Sequence, residues 1–248
     1  MLHPTHHRYG QVFGFGGAAV AATFGYIPTV DLTGNLAGAT GSALVALLFI
    51  LVCYHASVFG SEYPDIDSPG SIPARKHFFL QKMFKLFKVK HRGKYSHDFI
   101  SLLLTFGSIY LFLSFIFGPI MHQLLLSGVG DKQLAPLVAL LSSDLSTGED
   151  GLLLQLLKCY VVFALLGSYS HLIADASTKQ GVWLFWSIKV HIVPVFITKI
   201  KIGGEEPFRE IFNTGTGWEI LNRNALTYVA LPLSILFCLV TMLGIKIL

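Results

Sequence analysis

Charge is what this chain has least of. Aspartate, glutamate, lysine and arginine together make up 13% of 248 residues, against 53% hydrophobic residues and a mean hydropathy of +0.62. Such a balance lies outside the range of water-soluble domains and excludes an ordinary globular fold. Cysteine is scarcer still. Cys53, Cys159 and Cys238 are odd in number, lie inside apolar runs and show no C-x-x-C spacing, which argues against a disulfide framework or a cysteine metal site and leaves them as small core residues. Internal repeats and low-complexity tracts are missing as well. The sequence contains no nucleic-acid reading motif, so a nucleic-acid partner is not expected.

What is present is apolar and long. Runs at residues 10–29, 40–60, 99–126, 151–174 and 225–247 each reach the roughly 20 residues that cross a bilayer. The chain therefore reads as one all-α integral membrane domain, residues 1–248, with about five transmembrane helices. The run at 10–29 carries Gly14, Gly16, Gly17 and Gly25 among alanines. That composition suits close helix packing and also resembles the apolar region of a signal peptide; we read it as a retained span.

Basic residues set the orientation. Segment 61–98 holds Arg75, Lys76, Lys82, Lys85, Lys88, Lys90, Arg92 and Lys94, and segment 175–224 holds Lys179, Lys189, Lys199, Lys201, Arg209 and Arg223. Both belong on the cytoplasmic side by the positive-inside rule. The stretch around Asp31 has no basic residue, and Ser127–Asp150 sets Lys132 against Asp131, Asp144, Glu149 and Asp150. Five spans with a cytoplasmic N-terminus satisfy all four segments. Within 61–98, Phe79, Leu80, Met83, Phe84, Leu86 and Phe87 share one helical face and Gln81, Lys82, Lys85 and Lys88 the other, the pattern of an interfacial helix on membrane lipids. These lysines also read simply as topology signals. Alternation from Ser187 to Ile192 and at Ile200–Ile202 suggests a short β-hairpin around Pro194.

Three polar stretches interrupt the apolar pattern, and all three fall on the cytoplasmic side. His171 and Asp175, four residues apart near the end of the fourth run, project from one helix face and can reach a common ion. The same pair also reads as a buried histidine bonded to a carboxylate. Asp65 and Asp67, just after the second run, repel one another unless a cation lies between them, or else they close the helix as a solvated turn. His91 and His97 bracket a loop leading into the third run, and Arg92 offers a planar fork for phosphate or carboxylate. Ionisable groups at a bilayer are costly unless paired, so three converging clusters point to a shared metal. Nitrogen and oxygen donors without sulfur suit Zn²⁺, with Mn²⁺ and Mg²⁺ as alternatives.

Pro64-Asp65-Ile66-Asp67-Ser68-Pro69-Gly70-Ser71, the run from His91-Arg92-Gly93 to Ser96-His97, and Gly167 to Val182 around His171 and Asp175 together resemble the YdjM-like family. Its members are bacterial inner-membrane proteins regarded as metal-dependent hydrolases, some under LexA control. The resemblance covers residues 5 to about 223. It adds His6, through the Thr5-His6 pair with Gly10 downstream, as a further ligand, with His7 competing for the role. It also draws in Thr214-Gly215-Thr216 and Glu219, although Thr216 to Glu219 has capping-box spacing. Lys94 and Tyr95 stand where the family usually has one residue, a departure that bulges the loop carrying His91, and Asp98 replaces the usual Ser or Thr, adding a carboxylate or capping the third span.

Ligand order alone is remotely similar to the helical zinc phospholipase C group. The implied chemistry is hydrolysis of a phosphoester, a small molecule or a lipid head group, at the cytoplasmic face. A dinuclear centre of Asp65, Asp67, His97, His171 and Asp175 would lower the pKa of a water towards about 7, and Arg92 would neutralise developing charge. Asp67 and Arg92 are thus the catalytic candidates; the metal candidates are His6, Asp65, Asp67, His91, His97, His171 and Asp175. Competing classes are a metal-ion or proton transporter, which His55 and His122 could serve, and a non-catalytic membrane scaffold stabilised by metal. His3, His77 and His191 have no spacing that recommends them. Substrate and oligomeric state are not legible.

Overall fold

A computed structural model describes residues 3–30, 36–89, 95–127, 135–144, 148–176, 182–183, 189–190 and 217–244. The described residues are overwhelmingly helical. Helix α1 spans His3–Thr23 and α2 spans Leu36–Glu62, running on into a 3-10 turn at Tyr63–Asp67. Short helices α3 (Ile72–Lys76) and α4 (Phe78–Leu86) follow. Helix α5 (Phe99–Phe112) passes through a π turn at Leu113–Phe117 into α6 (Gly118–Leu126), and α7 spans Ala135–Leu141. Strands β1 (Ser143–Asp144) and β2 (Glu149–Asp150) form a small hairpin before α8 (Leu152–Ala176). Helix α9 (Gly217–Ala225) continues through a π turn at Leu226–Ala230 into α10 (Leu231–Met242).

Among the described residues, four continuous helical stretches are long and apolar enough to cross a membrane: Gly38–Asp67, Phe99–Leu126, Leu152–Ala176 and Gly217–Met242. They match four of the five expected spans. The fifth, expected at residues 10–29, is helical but lies earlier, and its first turns carry His3, His6, His7 and Arg8. Its end is set by Gly25, which takes φ +72°. Gly25 N–H donates to the Ala22 carbonyl at 3.0 Å and Tyr26 N–H to that of Ala21 at 2.8 Å, the paired bonds of a Schellman stop.

Helices α2 and α8 form the central pair, and α1 lies against both and against α10. The contact is backbone to backbone. A Cβ on Gly60 would land on the Ala164 carbonyl, and one on Gly167 on the Ser57 carbonyl. Helix α1 uses small residues likewise: Gly10, Gly14, Ala18 and Ala22, spaced by four, are all buried, and a Cβ on Gly14 would come 2.9 Å from the Tyr54 Cα. Without a hydrophobic drive between helices in lipid, such close approach supplies much of the association energy. Leucines and phenylalanines such as Leu47, Leu51, Leu104, Phe115, Leu236 and Leu239 point outward, as a lipid-facing surface requires.

The three cysteines are core residues without a disulfide, Cys53 lying 3.4 Å from Cys159 across the α2–α8 contact. The expected interfacial helix is α4, where Phe78, Phe79 and Leu86 are exposed beside Lys82 and Lys85. The hairpin expected around Pro194 lies mostly outside the described residues; within its first expected strand, Lys189–Val190 (β4) pairs antiparallel with Val182–Trp183 (β3), earlier in the chain.

Candidate metal centre

The centre is assembled where α1, α2, α8 and the segment before α5 meet. Pro64 opens the 3-10 turn that ends α2. Ser71 then ties that turn down: its Oγ donates to the Asp65 carbonyl at 2.8 Å and accepts from Ala74 N–H at 3.0 Å, capping α3. Gly70, at φ +92°, supplies the reversal between them. Asp65 is thereby presented to the bundle. His97 comes from the other direction, held one residue before Asp98, whose carboxylate accepts from Ser101 N–H at 3.0 Å and starts α5. Asp98 thus takes the capping role of the two that its position suggested.

His171 is the hub. It is fully buried, and its Nδ1 donates to the Ser61 carbonyl at 2.7 Å. That bond fixes the tautomer and leaves the Nε2 lone pair facing inward. Nε2 lies 3.5 Å from Asp175 Oδ2 and 3.8 Å from Asp65 Oδ1, yet makes no hydrogen bond. Around it, His6 Nε2 stands 3.4 Å from Asp175 Oδ1, and His97 Nε2 stands 3.8 Å from Asp65 Oδ1. These are ion-pair distances, longer than ordinary hydrogen bonds. Ligands about 2.1 Å from a tetrahedral Zn²⁺ lie about 3.4 Å from one another, so the spacing is compatible with donors around an ion. Two ligand groups result, His6–His171–Asp175 and Asp65–His97–His171, sharing His171.

Asp67 occupies a different place. Its Oδ2 accepts from Ser96 Oγ and lies 3.5 Å from His97 Nδ1, so it braces the outer edge of the ring whose Nε2 faces Asp65. Ser96 Oγ is also 3.0 Å from that Nδ1. Burial disfavours the charged imidazole at His97, but Asp65 and Asp67 outweigh it and hold its pKa up at about 9. The two carboxylates thus favour the charged form of that ring.

Of the residues singled out from the sequence, His6, Asp65, Asp67, His97, His171 and Asp175 come together; His91 and Arg92, like Thr214 to Thr216, lie outside the described residues. Glu219 is buried and accepts from Thr5 Oγ1 at 2.9 Å, next to His6 in sequence, so it fastens α9 to the ligand-bearing turn of α1. His55 Nδ1 sits 3.2 Å from Tyr160 Oη, as a packing residue does. Sequence reasoning passed over the Ser61 carbonyl and the Ser96 hydroxyl. Ser96 was visible as the neighbour of His97, but a backbone carbonyl carries no sequence signal because any residue supplies one.

A family model described as YdjM inner membrane protein matches residues 12–246. The chain belongs to this family. The match extends further towards the C-terminus than the motifs did and begins after His6, so His6 joins the centre on the geometry of this chain alone. As the family description states, YdjM proteins are inner-membrane proteins, and the four apolar helices agree with a multi-pass arrangement. Comparison with curated proteins and with solved structures finds no match. For this YdjM family member, buried histidine and aspartate clusters capable of holding a metal ion are the chemical content of the site.

Proposed function

We propose that this chain is a membrane-bound metal-dependent hydrolase acting on a phosphoester at or near a lipid head group on the cytoplasmic face. The observation that carries this reading is the shared His171, oriented by Ser61 and offering an unbonded, buried Nε2 to Asp65 and Asp175. A merely structural histidine would satisfy that nitrogen. The donor set fits Zn²⁺, with Mn²⁺ or Mg²⁺ as alternatives. His6, Asp65, His97, His171 and Asp175 would hold the ion, which supplies positive charge for an anionic ester and lowers the pKa of water towards about 7.

The chain's own residues do the positioning. Asp67 and Ser96 hold the His97 ring, and Ser61 holds that of His171. Arg92 is the cation that the sequence offers to a phosphoryl group, and His91 a further donor. Asp65 and Asp67 end one apolar stretch, His171 and Asp175 end another, and His97 immediately precedes a third. Donors at span ends suit chemistry on an interfacial substrate, whereas a transport site belongs near the bilayer midplane. Arg75, Lys76, Lys82 and Lys85 follow from the same end, which the positive-inside rule assigns to the cytoplasm. Exposed Phe78, Phe79 and Leu86 on α4 suit contact with the lipid surface.

The test uses detergent-purified chain beside a His171→Ala/Asp175→Ala variant, with metal measured by elemental mass spectrometry. Both are assayed on aryl phosphomonoesters, phosphodiesters and lipid phosphates in mixed micelles. Metal-dependent hydrolysis by wild type, lost in the variant, is expected. Metal-loaded wild type inert across the panel overturns the hydrolase reading.

A further inference from the structure

Adjacent residues on two helices diverge into two different clusters. His6 turns inward to Asp175, whereas His7 turns to Glu62; on α2, the Ser61 carbonyl receives His171 while Glu62 receives His7 and His3. Glu62 is buried, 1% exposed, at the end of an apolar helix. Its Oε1 lies 3.0 Å from His7 Nδ1 and 3.3 Å from His3 Nε2. The two histidines are one helical turn apart on α1, so both reach the same point. His3 Nε2 is buried without a hydrogen bond despite that proximity.

We propose that His3, His7 and Glu62 form a second divalent transition-metal site, separate from the buried centre and more readily exchanged. The donor atoms lie within 4.8 Å of one another. Two imidazoles and one carboxylate, with positions left for water or a ligand, suit Zn²⁺ or Co²⁺ better than Mg²⁺ or Ca²⁺, which favour oxygen donors. Lability follows from access: the side chains of His3 and His7 are 23% and 32% exposed, while those of His6 and His171 are 2% and 0% exposed. Lys76 competes. Its Nζ is 2.8 Å from Glu62 Oε2, the oxygen not shared by His3 and His7, and at 51% exposure it can swing into solvent when a cation binds at Oε1. His77 Nε2, 3.5 Å from Oε2, lies on that second oxygen too. Neither His3 nor His7 falls within the residues that the family model matches.

The experiment is a Co²⁺ titration of the full chain in detergent, followed by visible absorption and elemental analysis. Wild type should bind in two classes, tight and weak. His3→Ala and His7→Ala should each abolish the weak class and keep the tight one; His171→Ala should do the reverse. Lys76→Gln, which removes the competing cation, should tighten the weak class several-fold, a gain that misfolding cannot produce. Titrations of His3→Ala, His7→Ala and Lys76→Gln indistinguishable from wild type overturn the proposal. A weak class lost in His3→Ala and His7→Ala while His171→Ala changes nothing upholds this site and counts against the buried centre instead.

Discussion

His6 and His171 lie face to face, ring centroids 3.7 Å apart and planes 13° from parallel. The stack brings together two rings, each of which is a metal donor only in its neutral form. It also sets both Nε2 atoms against the two oxygens of one carboxylate, Asp175. The N-terminal turn of α1 and the last turn of α8 thus present a single chelating edge.

His171→Ala is expected to abolish high-affinity metal binding. It removes the donor common to both ligand groups and strips the Ser61 carbonyl of its partner. Elemental mass spectrometry of the purified variant should find the buried centre empty, and wild-type metal content would contradict the assignment.

Asp67→Asn and Ser96→Ala should weaken the ion's hold without abolishing it. Both residues brace His97 from its Nδ1 side, and loss of such support typically costs about 10–100-fold in affinity. Chelator competition reads this directly. Unchanged affinity in both variants would mean that His97 needs no bracing.

Thr5→Val tests the link between the first and last helices. The Thr5 hydroxyl donates to buried Glu219, and leaving a buried hydrogen-bonding group without its partner costs about 1–3 kcal/mol. A drop of that order in detergent unfolding stability is expected, with the Tyr9–Asn222 contact left to hold α1 against α9.

Gly60→Ala and Gly167→Ala should each destabilise by at least about 1–3 kcal/mol, because the added methyl meets backbone carbonyl groups that cannot move aside. Gly107→Ala on α5, where a Cβ meets nothing within 4 Å, serves as the comparison. It should be neutral or stabilising by up to about 1 kcal/mol. Thermal unfolding of the three variants side by side separates close helix contact from simple helix propensity.

Much of the site was legible because its residues obey local rules. His171 and Asp175 are one helical turn apart, so their meeting needs only an α-helix. Asp65 and Asp67 sit in a Pro-containing turn whose polarity stands out against apolar neighbours. Asp67 was nevertheless read as an equal of Asp65, because sequence spacing cannot say on which side of the His97 ring a carboxylate stands. The start and end of α1 were displaced for a related reason: hydropathy registers the Ala-rich stretch but not the Schellman bonds at Gly25 or the polar turns at its head. His3 was set aside and Glu62 drew no notice, since nothing in the sequence pairs Glu62 with the histidines of α1; they meet only because α1 crosses the end of α2.

The sequence by itself determined that the chain is helical and multi-pass, where its polar interruptions lie, and which residue types they offer, because hydropathy and helical period act over one element at a time. Only the tertiary structure decided that His6, Asp65, His97, His171 and Asp175 converge, that Asp67 stands behind His97, and that His7 turns from His6 towards Glu62. Those outcomes depend on how closely the helices approach. The approach is set by Gly10, Gly14, Gly60 and Gly167, where the missing side chain lets one backbone rest on another.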